Sequence, residues 1–220
     1  MKKKILNLEE KLLLNKIAGY SVLAGAALLL TPTVAKGDIV YVDPADIVVN
    51  NIHSLDTLDL DANGENDFIL KHLRSSSTSI FIYSTLKMSG YYNNWTQTNK
   101  VLISNYFVAK LDSSVSISPA QTNWASDDEF CNLEYTYTGP STFLRGNWAP
   151  NVEEKFLGVS FYIGVMRHYG WIRASVIRLG DGNGGQITVH DWAYEDDEGV
   201  SLKTGEGDVP LPSNYHILLP

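Results

Sequence analysis

The chain has 220 residues, 17 Lys and Arg against 25 Asp and Glu, a net charge of −8 and one cysteine. An acidic surplus of this kind repels a phosphate backbone, which excludes a nucleic-acid-binding role. Cys131 has no second cysteine to pair with, so no disulfide forms within the chain and stability has to come from a buried core.

The N-terminal segment reads as an export signal. Lys2-Lys3-Lys4 and further charge through Lys16 precede an uncharged run from Ile17 to Leu30, followed by Thr31-Pro32-Thr33-Val34-Ala35. A charged start, an apolar stretch and a small-residue ending are the parts of a signal peptide, with cleavage expected after Ala35. The apolar run of fourteen residues is short of the roughly 20 that span a bilayer, so no stable transmembrane helix is expected in the mature chain. Residues 1–35 hold five Lys and two Glu; without them 12 basic residues stand against 23 acidic ones, a net charge of −11. The mature chain is expected to be secreted or held at the cell surface, with residues 36–207 forming one domain.

Aromatic and β-branched residues dominate that domain, and no long stretch repeats apolar positions every 3.6 residues, so strands are the expected element. The first four fall at 38–42, 47–49, 54–60 and 67–72. Between the last two lies Asp59-Leu60-Asp61-Ala62-Asn63-Gly64-Glu65-Asn66-Asp67, a D-x-D-x-N-G-x-x-D loop. Oxygen side chains at loop positions 1, 3 and 5 converge on one hard cation, Gly64 permits the sharp turn, Glu65 offers its backbone carbonyl and Asp67 closes the shell. The expected cofactor is Ca2+, held by Asp59, Asp61, Asn63, Glu65 and Asp67. An EF-hand would need a bidentate Glu where Leu70 stands, and the short apolar flanks Leu58, Leu60 and Phe68-Ile69-Leu70 read as strand ends. Asn63-Gly64 alone would suit a type I′ hairpin turn, but such a turn does not require acids at alternate positions, and three acids this close repel unless a cation lies between them.

Further strands are expected at 79–87, 105–110, 156–166, 170–178 and 186–194. The last two should pair antiparallel across Gly180-Asp181-Gly182-Asn183-Gly184-Gly185, a connection rich in residues that tolerate positive φ. Simple alternation on the final strand puts Thr188, His190, Trp192 and Tyr194 on one face, with Ile187, Val189, Asp191 and Ala193 on the other. Residues 89–151, punctuated by Gly90, Pro119, Gly139-Pro140 and Pro150, read as long loops with an edge strand or a short helix. The fold class is all-β, an antiparallel β-sandwich of jelly-roll type, with an open β-barrel as the alternative.

The segment His168-Tyr169-Gly170-Trp171-Ile172-Arg173, with Ile187 to Val189, His190-Asp191-Trp192-Ala193-Tyr194-Glu195 and Gly205, resembles the C-terminal part of exported bacterial proteins of the PEP-CTERM sorting class. The resemblance covers 158–205 and implies a surface or matrix destination, but no catalytic residue. Val209-Pro210-Leu211-Pro212 stands where the sorting tail of that class would begin, and residues 208–220 are expected to be a truncated sorting segment or the end of a free-standing secreted domain.

Catalytic patterns do not emerge. The five His have no metal-binding spacing, no G-x-S-x-G elbow is present, and Cys131 lacks the marks of a nucleophile. Asp191 and Glu195 could serve a glycosidase, but on one strand they would stand about 13 Å apart, beyond the ~5–9.5 Å that glycoside hydrolysis uses. The expected function is therefore a non-catalytic, calcium-stabilised surface or extracellular-matrix protein in an adhesive or structural role, facing extracellular polysaccharide or cell-surface components. Its rival is a carbohydrate-binding module using Tyr91, Tyr92, Trp95, Trp124 and Trp148 as a platform.

Overall fold

A computed structural model describes residues 37–50, 55–78, 81–90, 92–94, 97–125, 131–138, 143–149, 151–179 and 185–208. Among these residues seventeen strands run in chain order: β1 (Ile39–Val42), β2 (Ile47–Val49), β3 (Leu55–Leu58), β4 (Phe68–Thr78), β5 (Phe81–Gly90), β6 (Tyr92–Asn94), β7 (Gln97–Thr98), β8 (Lys100–Ser104), β9 (Phe107–Val108), β10 (Ser116–Ile117), β11 (Trp124–Ala125), β12 (Cys131–Thr138), β13 (Phe143–Arg145), β14 (Val152–Ile163), β15 (Met166–Arg178), β16 (Gly185–Glu195) and β17 (Leu202–Lys203). The described residues contain no helix, and hence none long and apolar enough to cross a membrane.

Two arrays, antiparallel except where β9 meets β12 in parallel, are joined through one strand. The first runs β1-β16-β15-β14-β8, the second β9-β12-β5-β4-β3, and the path is continuous because β8 serves both. Val101 and Lys100 pair with Val159 and Ser160 of β14, while Ile103 and Ser104 pair with Val108 and Phe107 of β9. The sheet does not close on itself into a barrel, and the all-β arrangement accords with the expected antiparallel sandwich. Between the arrays lies the main core, with Leu58, Leu60, Phe68, Leu70 and Met88 from one side meeting Leu157, Val159, Phe161, Ile172, Val176, Trp192 and Tyr194 from the other.

A second apolar cluster covers the outer face of the first array. Phe156, Tyr169, Trp171 and Ala193 meet Ile117 and Leu202 of the small β10–β17 ribbon. Strands β14, β15 and β16 are consequently buried on both faces, which is why their sequences are apolar in runs rather than in strict alternation. Trp171 packs edge-on against Phe156 at 5.1 Å and donates its indole N–H to Glu206 O at 3.0 Å, while Trp192 lies in the main core.

The expected β15–β16 hairpin is present, with Gly170 opposite Tyr194 and Arg178 opposite Gly185. The expected sidedness of β16 is corrected. Arg173 pairs with Asp191 but Ala174 pairs with Val189, so His190 is an extra residue, a β-bulge, and it inverts the alternation. Ile187 and Val189 before the bulge and Trp192 and Tyr194 after it all point into the main core. Ser175 stabilises this irregularity from the neighbouring strand: its hydroxyl accepts the Glu154 N–H at 3.1 Å and bonds His190 Nε2 at 2.8 Å. Glu154 itself has φ +42° at a matching register shift in β14. Gly170 is needed for close approach, because a Cβ there would lie 2.7 Å from Ala193 O.

Two other expectations fail. Residues 89–151 hold β6 to β13 rather than long loops and an edge strand, and β12 sits inside the second array between β9 and β5. The expected strand at 105–110 is instead a tight turn, with Asn105 at φ +52° and Tyr106 at +67°, joining β8 to the two-residue β9.

Because Trp171 and Trp192 are 0% and 6% exposed, replacing either by Ala should cost about 3–5 kcal/mol. Denaturant melts of Trp171→Ala and Trp192→Ala measure this; a loss below ~1 kcal/mol for either would show that its ring is not a packing element.

Candidate metal centre

The loop 59–67 connects β3 to β4, and its backbone is shaped by its own acids. Asp59 accepts N–H groups from Asn63 at 3.2 Å and Gly64 at 2.8 Å; Asp61 accepts from Asn63 N at 3.2 Å and Nδ2 at 2.9 Å. Asn63 Oδ1 in turn accepts the Glu65 N–H at 2.6 Å. Ala62 and Gly64 take positive φ, +57° and +89°, while Asn63 does not, so a type I′ turn at Asn63-Gly64 is excluded.

Asp67 differs from the other acids in being 2% exposed. Its Oδ2 accepts the Leu60 N–H at 2.8 Å, its Oδ1 accepts Asn99 Nδ2 at 3.0 Å, and its own N–H donates to Leu58 O at 2.7 Å. Burial pushes its pKa up to about 7; Asp61 and Asp59 add to the rise by repulsion, while the Leu60 and Asn99 donors oppose it. Burial, with Asp59 adjacent, also raises Asp61.

Asp59, Asp61 and Asp67 each place one carboxylate oxygen so that all three lie within 4.8 Å of one another. Oxygens 2.3–2.6 Å from a common Ca2+ stand at up to about that separation, and a carboxylate that accepts an N–H retains lone pairs for a cation. The donor set therefore fits a hard divalent ion. The loop brings together Asp59, Asp61, Asn63 and Asp67, with Asn63 bonded to both Asp59 and Asp61; Glu65 is an exposed side chain whose N–H is engaged by Asn63.

Three residues that the loop pattern does not contain complete the centre. Asn99, fully buried, donates to both Asp67 O and Asp67 Oδ1 and accepts the Tyr162 N–H at 3.1 Å. Trp192 donates its indole N–H to Leu60 O at 3.0 Å, and the Tyr194 hydroxyl, its pKa raised by burial and then by Asp61 among other acids, stands near the loop. All three are remote in sequence, and no local motif marks them.

The other candidates disperse. Trp148 is buried in the main core and cannot stack on a sugar, Trp124 is half-buried against Tyr169 with ring centroids 5.9 Å apart, and Tyr91 and Trp95 lie outside the described residues, as does the side chain of Tyr92. Asp191 is engaged by Arg173 and by the Tyr41 hydroxyl at 2.9 Å. No family model matches the chain, and no curated protein or solved structure is found similar to it.

A carboxyl whose pKa is higher in the folded chain holds its proton more tightly there. Without divalent cation, the Asp67 contribution is therefore fully present below its ordinary 3.8 and is lost as pH rises to about 7. The loss should approach about 1.4 kcal/mol per pH unit across that window. Urea melts in chelator from pH 4 to 8 should show this slope in the native chain and not in Asp67→Asn; equal slopes would remove Asp67 as its source.

Proposed function

We propose that this protein is an exported, calcium-stabilised, non-catalytic β-sandwich that serves as a surface or extracellular-matrix component in an adhesive or structural role. The observation that carries the reading is the convergence of Asp59, Asp61 and Asp67 on one point, with the innermost acid buried. An isolated buried carboxylate beside two others is costly, and a bound divalent ion converts that cost into binding energy. The ion then clamps the β3–β4 connection against β8 and β16, through Asn99 and Trp192. Export supports the same reading, because extracellular calcium is abundant enough to occupy sites of modest affinity, with Kd near 10⁻⁴–10⁻³ M. The PEP-CTERM resemblance at Tyr169 to Arg173 and Asp191 to Glu195 accords with a surface destination. In this reading the acidic surface and the outward side chains meet polysaccharide or other cell-surface components, and no step of bond-making is involved.

Calcium that binds only the folded state should add about 2.7 kcal/mol at 100 times its Kd. Thermal melts in calcium and in chelator should differ by several degrees, Asp59→Asn with Asp61→Asn should abolish the difference, and metal analysis of purified protein should find about one equivalent. Identical melts and no bound metal would reject the reading.

A further inference from the structure

At the bulge of β16, three side chains that no local motif connects form one hydrogen-bonded line. Ser175 Oγ lies 2.8 Å from His190 Nε2, and His190 Nδ1 lies 3.1 Å from Asp46 Oδ1. Asp46 stands just before β2, His190 is on β16 and Ser175 on β15, so the line crosses three neighbouring pieces of the first array. An ionised carboxylate only accepts, so Asp46 takes the Nδ1–H of a neutral imidazole and leaves Nε2 as an acceptor. The Glu154 N–H donates to Ser175 Oγ at 3.1 Å, which leaves the hydroxyl hydrogen to point at Nε2. Nucleophile, base and orienting acid thus stand within the reach of about 2.6–3.2 Å that acyl transfer from a serine requires, and such a set is defined by geometry rather than by order along the chain. Two backbone irregularities build it. The extra residue His190 brings an imidazole beside Ser175, and the register shift in β14, with Glu154 at φ +42°, brings an N–H to the same oxygen. Holding a bulge calls for no carboxylate on the far side of the ring.

We propose that Ser175, His190 and Asp46 are a hydrolytic triad acting on small, uncharged acyl esters. Ser175 Oγ bonds to the acyl carbon while its proton passes to His190 Nε2, and the carbonyl electron pair moves onto oxygen, where the Glu154 N–H is placed to receive it. The carbonyl re-forms as the bond to the alkoxide breaks, and the alcohol leaves with the proton from His190. Water then gives a proton to His190 and adds to the acyl carbon; the Ser175–acyl bond breaks and the proton returns to Oγ. The sum is ester and water to acid and alcohol. Asp46 is a positioning residue that holds the ring and its tautomer. Exposed acids at Asp46 and Glu154 disfavour an anionic substrate. Val48, in the row Val48–Thr188–Ser175, and Ile177, two residues beyond Ser175, are exposed apolar side chains on the same face, against which a short acyl group can lie. Asp46 is more than half exposed and His190 about a quarter, so the site takes an ester displayed from a larger molecule, such as an acyl group carried on a polysaccharide. Such an activity lies beyond the adhesive reading and amends its non-catalytic character, and it shares no residue with the calcium loop.

The test treats the full chain with a fluorophosphonate, whose phosphorus an activated serine attacks with loss of fluoride, and locates the label by peptide mass spectrometry. Hydrolysis of p-nitrophenyl acetate is followed beside it by release of p-nitrophenolate. The native chain should carry one label, on Ser175, and turn over the ester. Ser175→Ala and His190→Gln should each abolish the label and lower kcat/KM by about a hundredfold or more. Asp46→Asn should lower kcat by about tenfold or more with KM little changed, and Asp46→Glu should recover part of the loss; a residue that merely holds the bulge would move the Tm and not this split. Where a variant fails to fold, the label in the native chain decides alone. No label on Ser175 in the native chain, or hydrolysis by folded Ser175→Ala equal to that of the native chain, overturns the triad. The calcium reading is judged separately by its melts and metal analysis, and labelling in chelator, below the melting temperature found there, should be unchanged.

Discussion

The amide of Asn99 is the joint on which the two arrays depend. It sits immediately before β8, the strand common to both, and its single side chain reaches the β3–β4 loop through Asp67 and the β14 backbone through Tyr162. An amide can do this because it carries donors and an acceptor on one rigid plane. In a fully buried setting each of these bonds is worth more in its absence than in its presence, since losing a partner strands a polar group away from water. The loop 59–67 is therefore tied to the corner where β8 passes from one array to the other.

Among the described residues this acidic chain buries three carboxylates at essentially zero exposure and treats each differently. Asp191 has a charged partner in Arg173 and a phenolic donor in Tyr41, whose own pKa is pushed up to about 12 by burial and by that contact. Asp67 has neutral N–H donors on both oxygens and two further acids at its side. Glu195 has one long hydrogen bond from a backbone N–H and another acid, Asp196, as its side-chain partner. The ordering runs from self-contained to incomplete.

The sequence was informative where the physics is local. The all-β class followed from composition, the long β15–β16 hairpin from its glycine-rich connection, and the acids at 59, 61 and 67 from their spacing alone. It was silent where partners are distant: Asn99 acquires its role from a residue 32 positions away, and Trp192 donates to a carbonyl 132 positions away. The strand β12 went unrecognised because Asn132, Glu134 and Thr136 alternate with Leu133, Tyr135 and Tyr137 between segments rich in proline and glycine, and the punctuation outweighed the pattern. The turn at Asn105-Tyr106 was hidden for another reason, since a tyrosine at positive φ runs against local preference and is imposed by the surrounding strands.

The bulge at His190 has a consequence for how this protein can change. Upstream of it odd-numbered residues of β16 face the main core, and downstream even-numbered ones do, so the strand carries two reading phases joined by one residue. Loss of His190 itself would leave Ile187, Val189, Trp192 and Tyr194 on one face by simple alternation, whereas flattening the bulge with His190 retained would force a choice: either Trp192 and Tyr194 turn away from the interior, or Ile187 and Val189 do. Substitutions along β16 can be absorbed one side chain at a time, but a change of length elsewhere in the strand cannot. The strand Gly185–Glu195 is thus constrained in its count as well as its composition, and insertions or deletions other than at His190 should be confined to the glycine-rich connection before it and the acidic turn after it.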